Sequence, residues 1–253
     1  MDNVKKEIME ILKDQQAIFG DMFFEKLSFE LQPKRTKELA VKLSTEVTEE
    51  EKGENSLFVE EFQKTESLDE LNKMICACQL CALGKTRTKF VFGVGNHNAD
   101  AMLIGEAPGA DEDQQGEPFV GRAGKLLNDI LKAINFVRED VYIANILKCR
   151  PPGNRDPLPS EMETCMPYLI KQIDLIKPKV ILCLGRVAAN GLLNKKLTLT
   201  ALRENTYELN GIKVVVTYHP AALLRNPNWK RGCWEDVKKF RNIYDNLLAG
   251  KHV

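Results

Sequence analysis

The residues best suited to chemistry lie in one glycine-rich loop, Gly105 to Gly124, with the sequence GEAPGADEDQQGEPFVGRAG. Five glycines are combined there with acidic side chains and a single aromatic residue, Phe119. Glycine lets a backbone approach a ligand closely, carboxylates can orient water or move protons, and a flat ring can stack on a flat ligand. The composition therefore predicts a ligand site at which acid/base chemistry takes place.

The seven cysteines form a second group with chemical potential. Cys78 and Cys81 form a CxxC pair, and Cys149 and Cys165 follow at a distance. Two ligands from a CxxC pair and two distant thiolates suit a four-cysteine site for zinc or for an iron–sulfur cluster, and the spacing does not choose between them. A disulfide framework is not expected, because no secretory signal pattern is present. Cys183 lies in an apolar run and is expected in the core.

Four short apolar runs and the helical patterns that follow them predict the elements that position these residues. The runs, expected to be strands, are 101–105, 141–146, 180–185 and 214–218. Amphipathic spacing predicts helices over 123–134, 160–176, 186–193 and 234–248. Ser160 and Glu163 match a capping box at the start of the second helix. Alternating strands and helices predict an α/β fold with a mostly parallel sheet covered on both faces.

The polar residues that follow the predicted strands are expected at one edge of the sheet. The first strand runs into Gly105 and Glu106, the second ends at Asn145, and the fourth runs into His219. Ligands of parallel sheets bind outside the carboxyl ends of the strands. The sequence therefore predicts that these residues share one pocket with the glycine-rich loop.

The first 66 residues differ in character from the rest of the chain. Apolar residues at helical spacing over 4–27 predict a helix that docks on its own protein, self-associates or binds a partner. Residues 44–56 are acidic and polar and predict a linker. Residues 1–66 carry 16 Asp/Glu and 10 Lys/Arg, leaving 20 and 26 for the remainder. We therefore expect an acidic helical extension, 1–66, and a mildly basic domain, 67–253, which suits a polyanion.

Other features of the whole chain restrict the class of protein. No apolar stretch reaches 18 residues, which predicts that the chain does not span a membrane. The first residues lack the apolar stretch of a secretory signal. A cytoplasmic, nucleoid-associated protein is expected.

Ser67 opens the motif SLDE, which is typical of a capping box ahead of a short helix.

Three contiguous motifs closely resemble the family-four uracil-DNA glycosylases, the iron–sulfur enzymes of the uracil glycosylase superfamily. In order, after the CxxC pair, they are GEAPGADEDQQGEPFVGRAG, NILKCRPPGNRDP and YHPAALLRNP. The resemblance covers residues about 73 to 248. It implies a three-layer α/β/α fold with a parallel four-stranded sheet, and hydrolysis of the N-glycosidic bond of deoxyuridine in single- or double-stranded DNA. It also implies a [4Fe-4S] cluster, bound by Cys78, Cys81, Cys149 and Cys165.

The resemblance further implies the residues of a uracil pocket. A glycosylase must flip its target nucleotide out of the stack, and Phe119 matches the ring that stacks on the flipped base. Asn145 offers one donor and one acceptor, which match O4 and N3–H of uracil. Cytosine reverses that edge and would leave buried groups unpaired, at about 1–3 kcal/mol each. His219 matches the donor to O2 that stabilises the leaving uracil anion. The other implied uracil-binding positions are Gly105, Glu106 and Ala107.

The group that positions the attacking water is left open by the sequence. The family-one pattern has an aspartate where this chain has Ala107, so the water must be held by another residue. Glu106, Glu112 and Asn154 are the candidates, and the two carboxylates are favoured. Gly109 stands where the family-one loop has the tyrosine that excludes the thymine methyl group. Another residue of the pocket must therefore exclude the thymine methyl group, and we propose Glu106 for this role.

The remaining expectations concern DNA and partners. Arg122 and Arg225 are expected to contact phosphates, and Leu223 or Leu224 to fill the gap left by the flipped base. The extension 1–66 is a candidate site for a protein partner. Three alternatives stay open: a covalent uracil-DNA binder, a catalytically silent DNA- or polymerase-binding iron–sulfur protein, and an iron–sulfur sensor. The covalent binder is disfavoured because the segment CRPPGNRDPLPSE contains no histidine.

Overall fold

The computed structural model of the protein describes residues 61–251. Its strands are β1 (Val94–Gly95), β2 (Ala101–Gly105), β3 (Tyr142–Asn145), β4 (Val180–Leu184), β5 (Tyr207–Leu209) and β6 (Ile212–Thr217). They form one sheet in the order β1-β3-β2-β4-β6-β5. The four inner strands are parallel, whereas β1 and β5 pair antiparallel at the two edges. The predicted helix within 4–27 and the predicted linker at 44–56 lie outside the described residues.

The inner strands confirm the four apolar runs. Every residue of β2, β3 and β4 is buried, as expected for parallel strands that are covered on both faces. The edge strands β1 and β5 were not predicted. They are two and three residues long and only partly buried, so they have no apolar run that would reveal them.

Eight α-helices are described in residues 61–251. They are α1 (Leu68–Ile75), α2 (Ala110–Gln115), α3 (Arg122–Ala133), α4 (Pro159–Ile176), α5 (Arg186–Leu193), α6 (Leu199–Arg203), α7 (Pro220–Arg225) and α8 (Lys230–Leu248). The helices predicted over 123–134, 160–176 and 186–193 correspond to α3, α4 and α5. The last helix begins at Lys230, four residues before the predicted start at Trp234.

Alternate residues of the strands face two separate cores, which produces three layers. On one face, Ile104, Ala144 and Cys183 pack with residues of α1, α4 and α5. On the other face, Leu103 and Leu182 pack with residues of α3 and α8. The expected core position of Cys183 is confirmed, since it is fully buried. This arrangement is the expected α/β/α fold.

The helix starts confirm one capping prediction in part and contradict another. The Ser67 side chain accepts a hydrogen bond from the backbone N–H of Glu70 at 3.2 Å, as the SLDE motif predicts, but the Glu70 carboxylate accepts from the backbone N–H of Glu66 instead of Ser67. The capping box predicted for Ser160 and Glu163 is wrong. Helix α4 begins at Pro159, and Glu161 accepts from the backbone N–H of Leu158 at 2.8 Å. Proline suits the first turn because its missing N–H would be unpaired there in any case.

The residues just before α1 are packed against the domain. Phe62 is 1% exposed, and its ring meets Tyr168 edge to face with centroids 4.9 Å apart. The Lys171 ammonium donates to the backbone carbonyl of Gln63 at 2.7 Å. We therefore propose that the boundary of the extension lies before residue 61 rather than after residue 66. Within residues 61–251, no helix is long and apolar enough to cross a membrane.

Candidate active site

The carboxyl ends of the inner strands open into a cavity of about 370 Å³. The glycine-rich loop, the segment after β3 and the start of α7 form its walls. Convergence of the strand ends on one pocket is therefore seen in the structure. The predicted residues that line this cavity are Glu106, Ala107, Glu112, Phe119, Asn145, Asn154, His219 and Arg225.

Gly105 does not line the cavity itself, but Phe119 and Asn145, which do, both pack against its backbone. A Cβ atom at position 105 would lie 2.7 Å from Cζ of Phe119 and would overlap Oδ1 of Asn145. Phe119 has a φ of +54°, and its carbonyl accepts a hydrogen bond from Nη1 of Arg138 at 3.3 Å. A Cβ at Gly124 would overlap that same carbonyl. Close backbone packing thus fixes the ring against the cavity, in the place required for stacking.

Asn145 presents a hydrogen-bond acceptor that the protein leaves unused. The residue is 2% exposed, and among residues 61–251 its Oδ1 is the one buried side-chain nitrogen or oxygen without a hydrogen-bond partner. Leaving such an atom unpaired costs about 1–3 kcal/mol. A ligand with an N–H group pointing at Oδ1 would recover that free energy.

His219 is held in one neutral form. Its Nδ1 accepts from the backbone N–H of Ala221 at 3.2 Å, so the ring caps α7. Burial, the largest cause, and the positive charge of Arg225 together lower the pKa of His219 to about 4, against an opposing effect of Glu112. At neutral pH the ring therefore carries its proton on Nε2 and can donate a hydrogen bond. The ring lies beside Phe119, with centroids 5.5 Å apart.

Glu106 is the acid whose protonation is most altered by the site. Burial, the largest cause, and the negative charge of Asp156 together raise the pKa of Glu106 to about 7, against an opposing effect of Arg186. Arg186 and Asp156 lie 3.8 Å apart as an ion pair. A carboxyl group with a pKa near neutrality can accept or release a proton under ordinary conditions.

Glu112 uses its carboxylate to hold the loop together. One oxygen accepts from the backbone N–H of Gly109 at 3.1 Å, and the other accepts from Val120 and Gly121 at 3.0 and 3.1 Å. Asn154 is exposed and accepts from Nε of Arg150 at 2.8 Å. Of the three candidates for positioning water, Glu106 is therefore the best placed to exchange a proton.

The predicted DNA contacts divide into exposed and buried residues. Leu223 is fully buried in the core, so the expectation that it could enter DNA is wrong. Leu224 is 39% exposed and remains available. Arg225 is exposed on the cavity wall, and Arg122 is exposed at the first residue of α3.

Several charged residues of the site were not predicted. Arg155 and Asp156 line the cavity and follow directly after Asn154, within the quoted motif GNRDP, so their positions were open to prediction. Arg138 donates to the carbonyls of Pro118 and Phe119 from a distant segment. No local sequence pattern marks Arg138, because its role depends on tertiary packing.

The cysteines of the predicted metal site lie near one another, since Cys149 interacts electrostatically with Cys78 and Cys81, and Cys165 of α4 interacts with Cys149 and Cys78. Burial raises the pKa of Cys149, and Cys78 and Cys81 are close enough to raise it further. Burial also raises the pKa of Cys165 to about 12, with contributions from Cys149 and Cys78. Buried thiols of this kind stay protonated unless a metal replaces the proton.

Several groups donate to or balance these sulfurs. Arg87 donates to Sγ of Cys149 at 3.3 Å, Tyr168 donates to Sγ of Cys78 at 3.3 Å, and the backbone N–H of Lys148 donates to Sγ of Cys165 at 3.4 Å. No group of three or more His, Cys, Asp or Glu side chains in residues 61–251 is arranged so that it could hold a metal ion. The residue types, four cysteines with cations and N–H donors around them, are those that a thiolate-bound cluster uses.

Comparisons with known proteins agree with this site. Residues 92–238 match the uracil DNA glycosylase superfamily. The chain is 48% identical over 186 residues to a type-4 uracil-DNA glycosylase of Archaeoglobus fulgidus, covering 70% of this chain and 94% of that protein. It is 40% identical over 186 residues to one of Thermotoga maritima, covering 72% and 97%.

A further relative has a different name. The chain is 31% identical over 160 residues to a DNA polymerase of Bacillus phage SP01, covering 63% of this chain but only 17% of that polymerase. The match to the superfamily and the long matches to type-4 enzymes decide the assignment. This chain belongs to the uracil-DNA glycosylase superfamily, among its type-4 members.

Proposed function

We propose that this protein is a uracil-DNA glycosylase of DNA base-excision repair, which binds a flipped deoxyuridine in the cavity and hydrolyses its N-glycosidic bond. The observation that carries the proposal is buried Asn145, which lines the cavity, packs beside the Phe119 ring at Gly105 and has an Oδ1 without a hydrogen-bond partner. Uracil supplies the missing N3–H donor, and its flat ring suits the stacking face. The relatives named type-4 uracil-DNA glycosylases support the same activity.

Base recognition follows from the hydrogen-bonding pattern of Asn145. Its Oδ1 accepts from N3–H of uracil, and its Nδ2 donates to O4. Cytosine has an acceptor at N3 and a donor at N4, so both contacts would be mismatched. Each unpaired buried group costs about 1–3 kcal/mol, which corresponds to roughly tenfold or more in selectivity.

Departure of the base requires stabilisation of the negative charge that develops on uracil. His219 is neutral because burial lowers its pKa to about 4. Its Nδ1 is occupied by the backbone N–H of Ala221, so the proton lies on Nε2. Donation from Nε2 to uracil O2 is a preorganised interaction that strengthens as the bond breaks.

Water is proposed to attack the sugar from the side of the cavity on which Glu106 lies. The carboxylate of Glu106 accepts a proton from the attacking water and stabilises the cationic sugar. Glu112 holds the loop closed with three backbone N–H donors and acts as a positioning residue. Asn154 stands on the same cavity wall and is the second candidate for orienting the water.

The cysteine group is proposed to hold a [4Fe-4S] cluster. Cys78, Cys81, Cys149 and Cys165 would supply the four thiolates, and the cluster would fix the segment before the sheet to the segment after β3. Arg87 and Lys148 would balance its charge. The cluster supplies structural cross-linking, and none of the proposed catalytic steps passes through it.

DNA contacts are proposed for the exposed residues around the cavity. Arg225 and Arg122 would contact phosphates, and Leu224 would enter the space left by the flipped nucleotide. A partner protein for the acidic extension remains a separate proposal. The catalytically silent DNA- or polymerase-binding protein is disfavoured, because Glu106, Asn145 and His219 are all present and converge on one cavity.

The test uses labelled oligonucleotides with one deoxyuridine, single-stranded or paired with guanine or adenine. Protein purified without oxygen should produce an alkali-labile site at uracil and none at thymine. Asn145→Asp should lose about 10- to 100-fold of uracil excision and gain relative activity on cytosine, since a carboxylate accepts from N4. Absence of cleavage by protein that retains its iron would contradict the proposal.

A further inference from the structure

Trp229 is an exposed aromatic residue close to the candidate active site. It is 42% exposed, and within residues 61–251 it is the one Phe, Tyr or Trp among the large apolar side chains that are exposed. It ends a short turn, Pro227–Trp229, in which its backbone N–H donates to the carbonyl of Asn226 at 3.1 Å. Its side chain is not part of either buried core.

One face of the indole is fixed by Tyr218. The two rings are stacked, with centroids 5.3 Å apart and an interplanar angle of 21°. The Arg203 guanidinium lies 4.1 Å from the centroid of the Tyr218 ring, and Nη1 of Arg203 donates to the phenolic oxygen at 2.7 Å. The position of Trp229 therefore depends on a tyrosine that is itself held in place.

A buried ion pair anchors this stack to the sheet. Arg203 donates to both oxygens of Asp236 at 2.6 and 3.1 Å, and Asp236 also accepts from Oγ1 of Thr217 at 2.8 Å. A Cβ at Gly232 would lie 2.6 Å from Nη2 of Arg203 and 3.1 Å from Tyr218, so helix α8 packs directly against the pair. The exposed ring is thus preorganised, which reduces the entropic cost of binding a ligand to it.

The stack lies at the carboxyl end of β6, next to the candidate active site. Tyr218 is placed between Thr217, the last residue of β6, and His219 of the cavity. Arg225 lines the cavity, and Trp229 follows it by four residues across the turn. A DNA strand that leaves the cavity along α7 would therefore meet Leu224 and Trp229, both of which are exposed.

We infer that Trp229, supported by Tyr218 and Arg203, is a stacking site for an unpaired nucleobase in the DNA strand that flanks the flipped deoxyuridine. The inference rests on the proposed function and adds a second base-binding position to it. Stacking of this kind tolerates every base, because each base has a π-face. It would favour single-stranded over fully paired DNA.

The test measures binding of a fluorescein-labelled, uracil-free single-stranded oligonucleotide to the full-length protein by anisotropy. Trp229→Leu should weaken binding about tenfold, in line with alanine-substitution effects on base stacking, whereas Trp229→Phe should stay within about threefold. Neither variant should change binding to a fully paired duplex of the same sequence by more than about twofold. Leu248→Ala, at another exposed apolar position, is the matched control and should behave as the unaltered protein.

A spectroscopic measurement keeps the test independent of any folding defect in Trp229→Leu. The chain has two tryptophans, so Trp234→Phe leaves Trp229 as its single source of indole fluorescence, and single-stranded DNA should quench it. Absence of quenching, equal losses in the Leu and Phe variants, or equal losses on single strands and duplex would each overturn the inference. Because the DNA contains no uracil, the result is separate from failure of the glycosylase proposal, which excision at deoxyuridine tests.

Discussion

The acidic residues of the glycine-rich loop differ in their roles because of where they lie, not because of their residue type. Glu112 accepts three backbone hydrogen bonds and holds the loop. Glu106, six residues earlier, has a pKa raised to about 7 by burial and by Asp156. A loop carboxylate with three donors is committed to structure, whereas a carboxyl group near neutrality is suited to proton transfer. The first prediction concerns this difference.

Glu106→Gln should remove the rise in activity between acid and neutral pH. The pKa of Glu106 is raised to about 7, so the ionised fraction grows as pH increases through that value. If the carboxylate is the active form, kcat/KM of the unaltered protein rises with pH toward a plateau above 7. The variant should lose about 10²- to 10⁴-fold at the plateau and show a flat profile.

The control for this variant is Asp129→Asn, at an exposed position of α3. It should keep both the rate and the pH profile. A Glu106→Gln enzyme whose rate still rises through neutrality would show that another group titrates in this range.

His219 should make the protein less stable in acid. Its folded-state pKa is lowered from 6.5 to about 4 by burial. Between these values the unfolded chain binds the proton and the folded protein does not, so stability falls as pH decreases from about 6.5 to 4. The expected contribution is about 3 kcal/mol, fully present above pH 6.5 and lost near pH 4.

Denaturant unfolding at pH 7 and at pH 4.5 would measure this term. In His219→Gln the difference in unfolding free energy between the two pH values should be smaller by about 2–3 kcal/mol. An identical difference in both proteins would mean that His219 is not kept neutral by burial.

The residues of the cavity were largely accessible to sequence reasoning, and their neighbours were not. Asn145 and His219 follow apolar strands, and parallel strands bring their carboxyl ends together. The positions of the strand ends could not predict which of two adjacent side chains is exposed. Leu223 and Leu224 are alike in sequence, yet the direction of one helical turn buries the first completely and leaves the second exposed.

At the level of secondary structure elements, the segment after β3 connects the cavity to the cysteine group. Lys148 is fully buried in this segment. Its ammonium group donates to the backbone carbonyl of Asn145 at 2.9 Å and to Oε1 of Gln172 in α4 at 2.6 Å, while its backbone N–H donates to Sγ of Cys165. Asn145, the proposed base-reading residue, and Cys165, a predicted cluster ligand, thus share one support.

Lys148→Met should therefore weaken iron retention and stability together. Methionine has a similar length but leaves the carbonyl of Asn145 and Oε1 of Gln172 unpaired, at about 1–3 kcal/mol each. It also removes the positive charge beside the thiolates. We expect less iron per chain after anaerobic purification and an unfolding free energy lower by about 2–6 kcal/mol.

Lys125→Met, at an exposed position of α3, provides the comparison. Iron content and unfolding would be measured on both variants and on the unaltered protein. Full iron content in Lys148→Met would show that the buried charge does not support the cluster.

The regular elements of the fold follow from apolar patterns wherever a strand or helix is buried on a long face. Strands β2, β3 and β4 are buried throughout and were visible as apolar runs. Edge strand β5 alternates between partly buried and exposed residues and carries no such run. The start of α4 was misplaced because Pro159 and Glu161 determine the first turn, and a similar pair, Ser160 and Glu163, lies two positions after the observed pair, Leu158 and Glu161.

At the scale of the whole molecule, the chain spans nearly the full length of its type-4 relatives and has further residues that they do not match. The type-4 relatives are matched over 94% and 97% of their own length by 70% and 72% of this chain. Residues 1–60 carry 14 Asp/Glu and 9 Lys/Arg, so the remaining chain is positive by the same excess. An acidic segment attached to a DNA-binding domain opposes association with a polyanion.

A protein that starts at residue 61 should fold, keep its iron and excise uracil. It should bind DNA more tightly than the full chain at low salt, and the difference should shrink as salt is raised, since the repulsion is screened. A protein that starts at residue 67 should behave differently. It lacks Phe62, which is 1% exposed and packs on Tyr168, and the Gln63 carbonyl that accepts from Lys171.

Loss of a buried phenylalanine costs about 3–5 kcal/mol, so the shorter protein should melt at a lower temperature. Because Tyr168 also donates to Sγ of Cys78, the shorter protein should lose iron as well. Melting temperature, iron per chain and uracil excision would be compared for the two truncations. Equal stability and equal iron content would place the boundary after residue 66, whereas loss of activity in both would show that the extension belongs to the folded enzyme.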